Sequence, residues 1–250
     1  MLVTVLGASG RTGRLLTRQL VYAGHEVRAL TRHHDAAGLS GVGTTVIRGD
    51  ASNEDDLRRV LKGAQAVVSV LGAQYSREQV RTYSGTARAI TAVLGADGPA
   101  RLVVTSSAIL SAWRDPTMTW TERLVLTRAV ERVGATLYDD MRRMEDIVAT
   151  SGLDWTVMRP LGLTDMDAST RWAVAEDHIP GRSTSRRDLA AAIVDQLSRT
   201  DFVRKTAAVA TTNESVGIAA TIWREAVRPR LRRSPAPPAR APRGGAGSPR

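Results

Sequence analysis

Three glycines spaced three residues apart, Gly7, Gly10 and Gly13, separate an apolar run from an amphipathic one. No other feature constrains the chain as much. The run Leu2–Leu6 (LVTVL) reads as a short buried strand, and helical spacing runs from Arg14 to Ala23 before stopping at Gly24. A strand that turns on glycine straight into a helix is the first unit of a parallel α/β sheet. In such a turn Gly7 permits the tight reversal. Gly10 lets backbone approach a ligand with no Cβ in between, and Gly13 allows close helix–strand contact. Amides at the helix start then face an anion, and Ser9 and Thr12 can add hydroxyl donors.

The pattern repeats along the chain. Strand-like runs are expected at Glu26–Leu30, Thr44–Arg48, Ala66–Leu71, Arg101–Ser106 and Asp154–Pro160. Helices are expected between them: one capped by Asn53 with Glu54, Asp55 and Asp56 in its first turn, one over Gln79–Leu94, and one over Tyr138–Thr150. Strands alternating with helices predict a doubly wound parallel sheet, a Rossmann core over residues 1–160. Beyond Pro160 the pattern weakens. Trp172–Glu176 and Val203–Ala210 are candidate strands. Ser185 is an N-cap with Asp188 at the third position of a helix through Leu197, and Glu214–Ala226 is a final helix. Residues 161–226 are expected to form a small substrate-covering subdomain.

Charge and composition bound the partners. The net charge is +10, but the seven arginines between Arg228 and Arg250 leave only +3 for the rest. The excess charge therefore belongs to a Pro-, Gly- and Arg-rich tail, residues 227–250, expected to be disordered. That tail carries no aromatic residue for base stacking, so nucleic acid is an unlikely partner by this reading. There is no cysteine, which fits a reducing cytoplasm and rules out a thiolate metal site. No metal site and no membrane span are expected, and the N-terminus reads as a strand rather than a signal peptide.

Specificity for the ligand's ribose is read about 20 residues past the glycines, where an acidic side chain would bind a 2′-hydroxyl. Here the position holds Arg32, beside His33 and His34. A guanidinium can make charge-assisted bonds to a 2′-phosphate, which favours NADP over NAD. The alternative is a solvated surface arginine. Asp50, in the turn Gly49-Asp50-Ala51, is either a partner for the adenine amino group or an ordinary turn residue.

Taken together, VLGASGRTG, LTR after the second strand, GDA at Gly49–Ala51, VVSVLG at Val67–Gly72, LVVTSSA at Leu102–Ala108 and MEDIVATSGLDWTVMRP at Met144–Pro160 resemble the atypical short-chain dehydrogenase/reductase superfamily. The resemblance is to its NAD(P)H-binding group, which includes biliverdin reductase B (flavin reductase) and NmrA-like proteins, and it spans Met1–Ala226. It implies that Gly7, Gly10, Thr12 and Gly13 hold the pyrophosphate, with Ala8, Ser9 and Arg11 also in the cofactor site, Arg32 at the 2′-phosphate, and Asp50 with Ala51 at the adenine. Leu71 and Gly72 would lie along the riboses, Ser106 or Ser107 would face the nicotinamide, and Pro160, Leu161 and Gly162 would cover its carboxamide.

Two departures bear on chemistry. The superfamily's usual Tyr-x-x-x-Lys reads Tyr138-Asp139-Asp140-Met141-Arg142, and Arg142 cannot shed a proton near neutral pH. Tyr138 is either the proton donor or a helix-surface residue. Biliverdin reductase B-like proteins carry histidines where Met141 and Leu161 stand. The candidate catalytic set is Ser107 to polarise a carbonyl, Tyr138 to protonate it, and Arg142 to supply charge. Asp165, Asp167, Glu176 and Asp177 read as solvated loop acids. Trp113 and Trp120 flank a loop that would either cover a flat apolar substrate or simply pack. The expected activity is NADPH-dependent reduction of a small organic carbonyl, quinone or flavin-like substrate by a monomer or homodimer. A non-catalytic NADP(H) sensor and an NADP-dependent epimerase or isomerase are the alternatives.

Overall fold

Alternating apolar residues build the sheet. On β1 (Leu2–Leu6), Val3 and Val5 point to one face and Leu6 to the other. The same alternation runs through β4 (Ala66–Ser69), where Ala66 and Val68 oppose Val67, and β5 (Arg101–Thr105), where Val103 opposes Leu102 and Val104. Strands apolar on both sides must be covered on both sides, which is the condition for a parallel sheet with helices on each face. The computed structural model describes residues 1–32, 38–39, 41, 43–76, 78–97, 101–111, 119–129, 134–165 and 171–212.

With β2 (Glu26–Thr31), β3 (Thr44–Arg48), β6 (Asp154–Pro160), β8 (Trp172–Glu176) and β10 (Lys205–Thr211), these strands form one sheet of order β3-β2-β1-β4-β5-β6-β10-β8. All pairings are parallel except β10 with β8. Helices α1 (Arg11–Tyr22) and α6 (Arg186–Gln196) pack on one face. Helices α2 (Glu54–Leu61), α3 (Thr82–Asp97) and α5 (Ala135–Ala149) pack on the other. A short parallel pair, β7 (Gly162–Thr164) with β9 (Ser183–Ser185), stands beside the sheet. The Rossmann expectation is met. Residues beyond Pro160 extend the sheet itself through β10 and β8 as well as forming the β7–β9 pair.

Local chemistry explains most boundaries. Asn53 Oδ1 accepts from the Asp56 amide at 3.0 Å, and Ser185 Oγ accepts from the Asp188 amide at 3.0 Å, as their cap positions predict. The Ser185 amide donates to Thr211 Oγ1, whose hydroxyl donates to Asp188, so a β10 residue is inserted into the capping box. Helix α1 begins three residues earlier than its apolar spacing suggests, because Gly10 is its N-cap. Strand β10 begins at Lys205 rather than Val203, because the chain first turns through Arg204 at φ 57°. Helix α4 (Trp120–Ala129) was not anticipated, since its apolar residues follow no clean helical stripe. Trp113, His33, His34, Asp167, the expected helix Glu214–Ala226 and the basic tail lie outside the described residues.

One buried charge holds two helices. Asp140 of α5 is fully buried. Its carboxylate accepts from the Tyr83 and Ser84 amides (2.8 and 3.4 Å) and from Ser84 Oγ (2.5 Å), and Arg143 lies 3.1 Å away. It caps the first turn of α3 from a different helix. Asp140→Ala would leave buried donors unpaired, so an expected loss of about 3 kcal/mol is checked by the urea unfolding midpoint. Next to it, burial pushes the Tyr83 hydroxyl up to about 12. This contribution to stability is complete below the unfolded pKa of about 10 and is lost as pH rises through about 12. Tyr83→Phe is expected to flatten that alkaline limb in pH-dependent unfolding.

Candidate functional site

The carboxyl ends of β1, β4 and β5 meet where the strand order reverses, the position where parallel sheets open a crevice. The turn after β1 shapes its floor. Gly7 has φ +84°, and a Cβ there would sit 2.9 Å from the Val70 carbonyl oxygen at the end of β4. A Cβ on Gly13 would lie 2.1 Å from the Gly7 oxygen, and one on Gly10 3.2 Å from the same atom. No side chain caps α1, so backbone amides define its N-terminus. Ala8 is buried under the turn, and Ser9 offers its carbonyl to Arg14 Nε at 3.0 Å. Each added Cβ would crowd the chain's own backbone, so the glycines let the turn close tightly, and the uncapped amides at the start of α1 fit a dinucleotide pyrophosphate.

Arg11 and Thr12 open α1 at the rim. Arg11 reaches Asp165 just past β7 at 2.6 Å, and the other oxygen of Asp165 accepts from the buried Arg186 at 2.7 Å. Asp165, expected to be a solvated acid, thus joins the phosphate turn to the start of α6. Asp177 and Glu176 are likewise ion-paired, with Arg159 and Lys205.

Arg32 is exposed directly after β2. Across the rim, Asp50 Oδ1 accepts from both the amide and hydroxyl of Ser52, at 2.8 and 2.7 Å. These bonds, with the nearby Arg32 charge adding to them, hold the Asp50 carboxyl below its usual range. Asp50 is therefore a turn-forming residue, and Ala51 beside it is buried. Leu71 is half-buried and Gly72 exposed where the chain leaves β4.

The two serines after β5 differ. Ser107 Oγ accepts from the Ile109 amide at 3.4 Å and so caps the short 3-10 turn Ala108–Leu110. Ser106 is buried, and its Oγ has no hydrogen-bond partner among the described residues. A buried hydroxyl left unpaired costs about 1–3 kcal/mol unless a ligand or water completes it. Pro160 is buried at the end of β6, and the Leu161 amide donates to Thr184 Oγ1 at 2.9 Å, which fixes the path into Gly162.

Tyr138 is not a bare surface residue. It packs into the core beneath α5, and its hydroxyl lies 3.2 Å from that of Tyr75. Arg142 extends from the exposed side of α5 to Asp139 at 2.8 Å, and Met141 is buried in the core. Trp120 opens α4 and is largely exposed. Tyr75 is the residue that sequence reasoning missed. Its only signal was a tyrosine in the glycine-bearing stretch after β4.

Residues 7–200 match the NAD(P)H-binding family. The chain belongs to that family. That bears out the NAD(P)H-binding part of the resemblance. Among curated proteins, the probable pinoresinol-lariciresinol reductase 3 of Arabidopsis thaliana is 30% identical over 81 residues, 31% of this chain and 26% of that protein. The chain thus matches about a quarter of that relative's length. A short-chain dehydrogenase/reductase of Veillonella parvula, solved in complex with NADP, superposes with a TM-score of 0.69 at 18% identity, covering 86% of this chain and 96% of that one. ChuY, an anaerobillin reductase of Escherichia coli O157:H7, gives 0.67 at 21% identity over 87% and 100%. At these identities the structural likeness establishes the fold. Among the described residues no helix is long and apolar enough to cross a membrane, and no group of three or more His, Asp or Glu could hold a metal.

The glycine geometry separates two substitutions. Gly13→Ala is expected to destabilise the fold by at least about 2 kcal/mol, because the obstructing atoms are backbone. Gly72→Ala, whose Cβ would meet nothing within 4 Å, is expected to keep the parent melting temperature. Differential scanning calorimetry of both variants checks the contrast.

Proposed function

We propose that this protein is an NADPH-dependent oxidoreductase that passes hydride to a small organic carbonyl, quinone or flavin-like acceptor. The observation that carries the reading is the side-chain-free cradle at Gly7, Gly10 and Gly13 on the N-terminus of α1. The first-turn amides of Arg11, Thr12 and Gly13 would hold the pyrophosphate, with Ala8 and Ser9 shaping the turn. Arg32 would take the 2′-phosphate. Asp50 and Ala51 would border the adenine, Leu71 and Gly72 the riboses, and Pro160, Leu161 and Gly162 the carboxamide. The reduced nicotinamide supplies hydride when bound.

This chain's own part is orientation and proton supply. Ser106 Oγ, buried and unpaired among the described residues, suits a ligand hydrogen bond on the crevice floor. Ser107 would polarise the acceptor oxygen, and Tyr138 Oη would protonate it. Arg142 would add only long-range charge, because its guanidinium is exposed beside Asp139. The pinoresinol-lariciresinol and anaerobillin reductases among similar proteins support a reductive reading. The lack of cysteine supports a reducing, cytoplasmic setting.

That surface position of Arg142 also favours a second reading, an NADP(H) sensor that binds cofactor without turnover. Fluorescence titration and a turnover assay separate the two. NADPH is expected to bind more tightly than NADH, and Arg32→Ala to weaken NADPH by about 10- to 100-fold while leaving NADH nearly unchanged. A parent protein that prefers NADH would remove the role given to Arg32. Tight NADPH binding with no oxidation across carbonyls, quinones and flavins would favour the sensor.

A further inference from the structure

The segment after β4 is fastened to α3 at one point and to the first turn of α5 at two. Tyr83 Oη accepts from the Ala73 amide at 3.1 Å. Thr136 Oγ1 donates to the Ser76 carbonyl at 2.8 Å. Between them, Tyr75 and Tyr138 meet edge to face, with ring centroids 6.4 Å apart and hydroxyls at 3.2 Å. The approach needs a glycine: a Cβ on Gly134 would lie 2.3 Å from the Tyr138 ring and 3.3 Å from the Tyr75 ring. Both segments lie at the carboxyl end of the sheet, because α5 returns the chain to the start of β6 and the Tyr75 segment leaves the end of β4.

We propose that Tyr75 is a positioning residue that prepares Tyr138 for proton transfer, through the direct hydroxyl–hydroxyl bond, where the usual lysine is replaced by Arg142. The proposal rests on the reductase reading. As the acceptor oxygen gains negative charge, Tyr138 Oη gives it a proton and becomes a phenolate. Tyr75 donates a hydrogen bond to that phenolate, passes it a proton, and takes one from water. The reducing electrons come from the reduced nicotinamide dinucleotide. A donor aimed at the charged form favours that form, so Tyr75 lowers the proton affinity of Tyr138. Among the described residues, the charged or titratable groups on the elements beside the pair include Tyr83 on α3, Glu78 in the segment before α3, and Asp139, Asp140, Arg142 and Arg143 on α5. Asp140 is committed to the α3 amides and Arg142 to Asp139.

The test is an NMR titration of the intact protein carrying ¹³Cζ-tyrosine. The chain has four tyrosines, and burial pushes the hydroxyl of Tyr83 up to about 12, apart from the Tyr138 signal that is followed. Tyr75→Phe keeps the ring contact and removes only the hydroxyl. It is expected to raise the Tyr138 midpoint by about one to two pH units, and to move the basic limb of kcat/KM by the same amount at an unchanged melting temperature. Tyr138→Phe assigns the resonance. A Tyr138 midpoint unmoved in Tyr75→Phe overturns the proposal whether or not any substrate is reduced. A moved midpoint with an unmoved kcat/KM limb overturns the proton-transfer role. A moved midpoint without turnover overturns the reductase reading alone.

Discussion

The structure depends on how closely α1 approaches the end of β1. At Gly13 the helix backbone sits so near the Gly7 carbonyl that a methyl group would overlap it at 2.1 Å. That contact aims the helix axis at the turn and leaves its first amides as the available donors there. It also lets the turn press on the end of β4, since Gly7 touches Val70 and Leu71. The direction of α1 and the closure of the turn against β4 therefore follow from one steric allowance.

Around that point the molecule uses polar groups as fasteners, from the fully buried Asp140 to the exposed Asp165. Asp140 caps α3 from α5, Thr211 closes the cap of α6 from β10, and Asp165 bridges Arg11 and Arg186. Each bond joins elements distant in sequence. Apolar packing supplies most of the cohesion but little directional preference, whereas a carboxylate on two amides fixes a helix in register. The Tyr75–Tyr138 contact belongs to this class. It fixes the segment after β4 against the first turn of α5.

The sheet was legible because its signals are local. LVTVL, TTVIR and DWTVMRP coincide with β1, β3 and β6, and Asn53 and Ser185 cap the helices their side chains predict. The strand–turn–helix at Gly7–Gly13 was legible for the same reason, since three glycines within seven residues have few uses. What stayed hidden depends on distant partners. Nothing near Asp165 in sequence announces Arg11 or Arg186. Asp140 reads as a surface helix acid until α3 is placed against it. Tyr75 acquires a role only when Gly134 admits Tyr138 beside it. Helix α4 was missed because Trp120, Leu124 and Val125 are exposed, so burial imposes no periodicity on them.

Strand β10 sits between β6 and β8, yet it is made of residues 205–211. While the chain emerges from the ribosome, β6 must wait some 45 residues with its edge unpaired, and α1 waits longer still for α6 to cover its flank. The nascent protein thus passes through a stage in which six ordered strands end in a bare, apolar margin. Chaperone dependence during synthesis should concentrate in that interval, and it ends when Ala207, Ala208 and Val209 slot in beside Met158.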